Sequence, residues 1–195
     1  AYVQSYSDLD ELIIGSGYMK CTGTHDYTYY STAKETYYPY VHFMADETEV
    51  RNTGTYDYYG EDFLKMFYGF YTWQKDVDKD HEGTVGWTEN QDWINLYKHI
   101  NITNIILSQI DNQTIQTEND QQNVNRIKGE AHFLRGAYYF VLANLYGKPY
   151  SPTSAKTDLA VPIKLTKNIE DKVYTRATVE KTYEQVLEDL LTAEK

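Results

Sequence analysis

RIKGEAHFLRGAYYFVLANLYGKPY, residues 126–150, is the stretch on which the fold turns. With Val124 before it, Ile127, Ala131, Leu134, Tyr138, Val141, Leu142 and Leu145 recur every three to four residues. That is the period of a helix with one buried stripe. Phe133, Ala137 and Phe140 form a second apolar line, so this helix has more than one packing neighbour. Gly129, Gly136, Ala137 and Ala143 are small enough to let another helix come close. Gly147 suits the left-handed position that ends a helix, and Pro149 prevents its continuation.

The pattern extends both ways. Upstream, Asp92 is expected as a helix N-cap. Trp93, Leu96, Tyr97, Ile100, Asn104, Leu107 and Ile110 then repeat at helical spacing, with a second line at Ile94, Ile102, Ile105 and Ile106. Residues 112–121 are polar and turn-like. Downstream, residues 148–177 form a long connection holding Pro149, Pro152 and Pro162, with residues 160–165 as a short extended piece on the surface. Thr178 is the expected N-cap of a further helix, striped by Val179, Tyr183, Val186, Leu187, Leu190 and Ala193.

An antiparallel helix pair, a long excursion and the first helix of another pair make a tetratricopeptide-like (TPR-like) arrangement, though no clean 34-residue repeat is present. The fold class is mainly α, with long irregular loops. The chain is expected as one domain, part of a longer protein. Residues 93–195 carry the TPR-like helices. Residues 1–92 are loop-rich and tyrosine-rich with short helices. One of these is expected at Leu9, Leu12 and Ile13, ended by Gly15 and Gly17. Phe63, Leu64, Phe67, Phe70 and Tyr71 have roughly helical spacing, and residues 74–92 read as loop.

Composition narrows the function. The 195 residues hold 18 Lys+Arg against 29 Asp+Glu, a net charge of −11. Residues 1–97 carry 17 acids and 6 bases, while residues 98–195 carry 12 of each. Tyrosine divides alike, with 15 of 21 in the first part. Such a chain is unsuited to a nucleic-acid backbone or an anionic membrane surface. The single cysteine, Cys21, makes neither an internal disulfide nor a cysteine zinc site. No stretch approaches the length of a bilayer span.

The quoted stretch resembles the hallmark helix of the SusD/RagB family, nutrient-binding lipoproteins of the bacterial outer membrane. The matching positions are Gly129, Glu130, Ala131, Phe133, Leu134, Arg135, Tyr139, Phe140, Leu142, Tyr146, Gly147 and Pro149. Residues 93–111, 160–166 and 174–195 follow in the family's order, and residues 5–19 are similar to its N-terminal region. The resemblance implies a SusD-like α fold and non-catalytic capture of oligosaccharides at the cell surface. It implies a SusC-like TonB-dependent transporter as partner. Membrane contact is expected only through a lipid anchor that this chain lacks, since Cys21 lies too far inside to serve. A peptide ligand is the alternative the resemblance permits, and the acidic first half would favour a basic one.

Candidate ligand residues follow from this. Trp87 and Asn90 stand where starch-binding relatives place a Trp and an Asn against glycan. An indole covers the C–H face of a pyranose, and an amide both donates to and accepts from hydroxyls. Trp87 reads equally as a core anchor. Trp73, Tyr58 and Tyr59 belong to a wider aromatic set with Tyr27, Tyr29, Tyr30, Tyr37, Tyr38, Tyr40 and Tyr56, which would serve either a sugar platform or an aromatic core. Asp76, Asp78 and Asp80 start like a calcium loop. His81 stands where that loop needs glycine and Trp87 where it needs glutamate, so no metal or cofactor is expected. No catalytic residues are expected either, because no nucleophile motif is present. Glu130 and Arg135 are expected as a structural ion pair or cap.

Overall fold

The computed structural model describes residues 3–19, 44–46, 68–70, 72–77, 79 and 91–195. The chain forms two compact units, one of residues 1–19 with 96–195 and one of residues 20–95. The described part is mainly helical: α1 Tyr6–Leu12, α2 Gln91–Leu107, α3 Glu118–Tyr146 and α4 Val179–Ala193. Asp92, expected as a cap, lies inside the first turn of α2. No described helix is long and apolar enough to cross a membrane.

Local chemistry sets the helix starts. Thr117 caps α3: its hydroxyl accepts the Asp120 N–H at 3.1 Å, and the Asp120 carboxylate accepts the Thr117 N–H at 2.9 Å. Tyr6 of α1 donates to the same carboxylate at 2.9 Å. Thr178 caps α4 as expected, accepting from Lys181 N–H at 3.2 Å. In α1, Leu9 turns inward with Ile13, and both are wholly buried. A π turn, Ile13–Gly17, follows α1. Tyr138 donates to the Gly17 carbonyl at 2.7 Å, and His99 Nδ1 lies 2.9 Å from the Ser16 carbonyl. A carbonyl only accepts, so His99 Nδ1 carries the proton. Burial, the largest influence, holds the His99 pKa below its ordinary value.

The core is made by α3 against its neighbours. Gly136 faces α4 so closely that a Cβ there would lie 3.2 Å from Leu190. The contact is not purely apolar. Arg135 grips Asp189 with two bonds, Nε to Oδ2 at 2.9 Å and Nη2 to Oδ1 at 2.7 Å. Its third nitrogen donates to Asn104 Oδ1 of α2 at 2.9 Å. His132 and Gln185 complete the shell of Asp189, at 2.8 and 3.2 Å. Burial alone would raise the Asp189 pKa, but these donors hold it below the usual carboxylate range. No buried side-chain nitrogen or oxygen among the described residues lacks a partner.

Four further expectations need correction. Arg135 pairs with Asp189 across helices, while Glu130 pairs with Arg126 at 2.9 Å and accepts from Tyr18. On α4, Leu187 is 57% exposed while Asp189 is buried. The Arg135 guanidinium draws this face inward, which an apolar count does not register. Residues 160–165 lie on the surface only in part: Ala160 and Val161 are wholly buried, while Leu165 is 43% exposed. Tyr97 donates to the Pro162 carbonyl, and the Tyr139 hydroxyl both donates to the Lys164 carbonyl and accepts its N–H. Burial pushes the Tyr139 pKa up to about 12. Finally, Gly147 has φ −85°, not a left-handed value. Glycine is needed there for space, because a Cβ would lie 2.5 Å from the Ala143 carbonyl oxygen.

Candidate functional site

In the unit of residues 20–95, the described residues near Trp73 form a sharp helix end. Residues 68–70 are helical. Trp73 N–H then bonds back to the Phe70 carbonyl at 3.0 Å, and Gln74 N–H to the Gly69 carbonyl at 2.8 Å. Nested bonds of this kind make a Schellman ending, whose C′ residue sits in the left-handed region and is most often glycine. Here the C′ residue is Trp73, with φ 55°, the only non-glycine residue at positive φ among those described. The chain folds back tightly at this point. A Cβ on Gly69 would lie 2.4 Å from the Val77 carbonyl oxygen, so only glycine fits there.

A left-handed C′ residue projects its side chain away from the helix it ends, and the Trp73 residue is 68% exposed. Holding an L-residue in this conformation costs about 1–2 kcal/mol. An exposed indole in a backbone geometry better suited to glycine gives no local gain in stability. Residues kept under such strain concentrate at ligand sites. Next in the chain, Gln74 donates to the Thr72 carbonyl at 3.4 Å, and Lys79 pairs with Asp76 at 2.8 Å. The turn therefore offers an exposed aromatic face, which suits stacking on a sugar ring.

Of the five expected ligand residues, Trp87, Asn90, Tyr58 and Tyr59 lie outside the described residues, as do the other tyrosines grouped with them. Trp73 is the one whose geometry is described. Asp78 and Asp80 of the calcium-like run also lie outside. The described residues contain no group of three or more His, Cys, Asp or Glu able to hold a metal ion. Sequence reasoning placed Trp73 only within a loose aromatic set. The signal that singles it out is Gly69, four residues earlier, where the chain doubles back.

Sequence reasoning missed an open groove of about 550 Å³ in the unit of residues 1–19 and 96–195. It lies between Arg126, Gly129, Glu130 and Phe133 of α3 and Leu190 and Ala193 of α4. The charged pair on its wall is self-satisfied, Arg126 to Glu130, so the groove presents mainly apolar surface. Gly129, expected to let another helix come close, does so at this groove: a Cβ there would lie 3.3 Å from the Ala193 carbonyl oxygen.

Comparison with solved structures shows the same fold. A SusD superfamily protein from Bacteroides fragilis matches with TM-score 0.64 and 23% identity, covering 98% of this chain and 39% of its own. A putative sugar binding protein from Bacteroides vulgatus matches with TM-score 0.63 and 21% identity, over 99% and 37%. A SusD superfamily protein from Bacteroides thetaiotaomicron matches with TM-score 0.61 and 22% identity, over 97% and 36%. The chain thus spans well under half the length of these structures. Among curated proteins, none matches the sequence. The profile of the SusD-like family, described as starch-binding and associating with the outer membrane, matches residues 26–195, and the chain belongs to that family.

Proposed function

We propose that this chain is the ligand-capturing part of a cell-surface glycan-binding protein, with the Trp73 indole as a sugar-stacking face. Capture is non-catalytic. It delivers oligosaccharides to a SusC-like TonB-dependent transporter, and a lipid anchor on the longer protein holds the assembly at the outer membrane. The family's starch-binding description supports the carbohydrate class, as do the solved neighbours described as sugar-binding. The observation that carries the reading is an exposed tryptophan at a left-handed helix end, where glycine would be less strained. Trp87, Asn90, Tyr58 and Tyr59 are further glycan contacts in this proposal.

An open aromatic face buries little of a hydrated sugar, so affinities fall on the order of micromolar to millimolar. Calorimetry against a panel of oligosaccharides is the test. Trp73→Ala should weaken the best ligand by about tenfold, since a ring contact is worth ~1 kcal/mol or more beyond its area. Unchanged binding in Trp73→Ala overturns the assignment. Release of reducing ends from the panel overturns the non-catalytic reading. The acidity of residues 1–97 favours a basic peptide as the competing ligand. Binding of a basic peptide would decay steeply with salt, whereas capture of a neutral sugar would not.

A further inference from the structure

The chain leaves the unit of residues 1–19 and 96–195 after Met19 and returns to it at Leu96. Inside that unit the two passages are tied to each other. His99 of α2 donates from Nδ1 to the Ser16 carbonyl, 2.9 Å away. Tyr138 of α3 donates to the next carbonyl, that of Gly17, at 2.7 Å. The two rings lie against each other, with centroids 5.5 Å apart and planes tilted by 41°. Ser16 and Gly17 close the π turn Ile13–Gly17. Turns of this kind are rare and are frequent at functional positions. On the other passage α2 is continuous over Gln91–Leu107, so that connection is a rigid rod. The passage at Met19 has no helix through it and depends on the ties at Ser16 and Gly17.

Only one of those ties can titrate near neutral pH. A second proton, on Nε2, makes the His99 ring a cation. The ring is partly buried, and burial opposes the charge. Lys98 on the same helix repels it. The π turn carries no ionisable side chain. Tyr138, the neighbour on α3, is a phenol committed to Gly17. Carboxylates of α1 and α3 are engaged elsewhere: Asp10 and Glu130 with Arg126, Glu130 also with Tyr18, and Asp120 with Tyr6. The Ser16 and Gly17 carbonyls favour the cation, but burial outweighs them.

We infer that the His99–Ser16 contact is a clasp that opens in mild acid, when the imidazolium turns out to water and frees the π turn from α2. The Tyr138 bond then holds the turn alone, and the passage at Met19 loosens while the α2 passage stays rigid. The inference goes beyond the glycan reading and does not depend on it.

Hydrogen exchange of the intact chain tests it, comparing residues 13–18 with residues 182–190 of α4 at about pH 7.5 and about pH 5.0, on either side of the ordinary histidine value. Rates are divided by the intrinsic rate at each pH, so that protection reports opening alone. A group held at a lowered pKa in the closed clasp takes its proton preferentially in the open form. Protection of residues 13–18 should therefore fall severalfold in acid. The opening should also be local. Dilute urea promotes unfolding in proportion to the surface exposed, so it should leave exchange in residues 13–18 unchanged while speeding it in residues 182–190. His99→Gln keeps a donor that does not titrate, and its protection in residues 13–18 should be the same at both pH values. In the unaltered chain, the midpoint of the loss should match the titration of the His99 ring followed by NMR. Equal protection at both pH values in the unaltered chain overturns the inference. A loss that grows with dilute urea as steeply as in residues 182–190 is global unfolding and overturns it too. So does acid loss that persists in His99→Gln, or a midpoint different from that of the ring. If His99→Gln does not fold, the midpoint and the urea response of the unaltered chain decide.

Discussion

Two helix contacts in this chain solve opposite problems. Where α3 meets α4, a buried charge is surrounded: Asp189 receives hydrogen bonds from Arg135, His132 and Gln185, and Arg135 passes a third bond to Asn104. At the end of residues 68–70, Trp73 holds a large side chain outward from a backbone conformation that glycine fits better. The first region spends its polar chemistry on holding helices in register. The second accepts strain to present a ring. A frame that must not move and, on the proposed function, a surface that meets a ligand are under different demands, and they belong to different units of the chain.

The sharpest way to break this comparison is to remove one partner of the buried pair. Asp189→Ala leaves the Arg135 guanidinium buried without its anion and should cost about 3–5 kcal/mol, read as a lowered urea midpoint. A cost below 1 kcal/mol would mean that the pair is not what joins the helices. Gly147→Ala tests close approach without charge. Its Cβ would press on the Ala143 carbonyl and on Ala160, at 2.5 and 3.2 Å, so about 1–3 kcal/mol should be lost. If Gly147→Ala folds with unaltered stability, the tight approach is not needed.

Acid should weaken the frame in two stages. His99 has a lowered pKa in the fold, so its neutral form is favoured there. The stability it contributes is complete above the unfolded value near 6.5 and is lost as pH falls from there towards the folded value. Asp189 also has a lowered pKa, and its contribution is lost below about pH 4. The melting temperature should therefore decline between pH 7 and 5, and His99→Gln should flatten that part of the curve while leaving the steeper acid fall. An unchanged upper part in His99→Gln would assign it to another group.

The smallest expected effect has the opposite sign. Trp73→Gly relieves the left-handed strain and should raise stability by up to about 1 kcal/mol while abolishing sugar stacking. Trp73→Ala should lose the stacking without the gain. If Trp73→Gly is destabilising, the indole is a packing residue and the contrast between the two regions fails.

The helices were legible because their signals are local. Period, Thr178 and the small residues facing α4 can all be read along one segment. The inward face of α4 was not, because Asp189 looks like a solvent residue until Arg135, 54 positions away, is placed against it. Ala160 and Val161 misled for a similar reason: Ala160 packs with Ala155, Val179 and Tyr183, and the chain just beyond is tied down by Tyr97, Asn104 and Tyr139 of α2 and α3. The candidate site was legible only as a supply of aromatic rings. Residue type alone does not say that the Trp73 ring is exposed or that its backbone is left-handed.

Sequence by itself determined that this chain builds capped, closely packed helices, because hydrophobic period, capping chemistry and side-chain size act over a few residues. Tertiary structure alone decided which polar groups went inside and that Trp73 points out. Burial of a charge and adoption of a left-handed backbone are each unfavourable alone. They persist where a partner holds them: Arg135, 54 positions away, in one case, and the doubling back of Gly69 onto Val77, four residues to either side of Trp73, in the other.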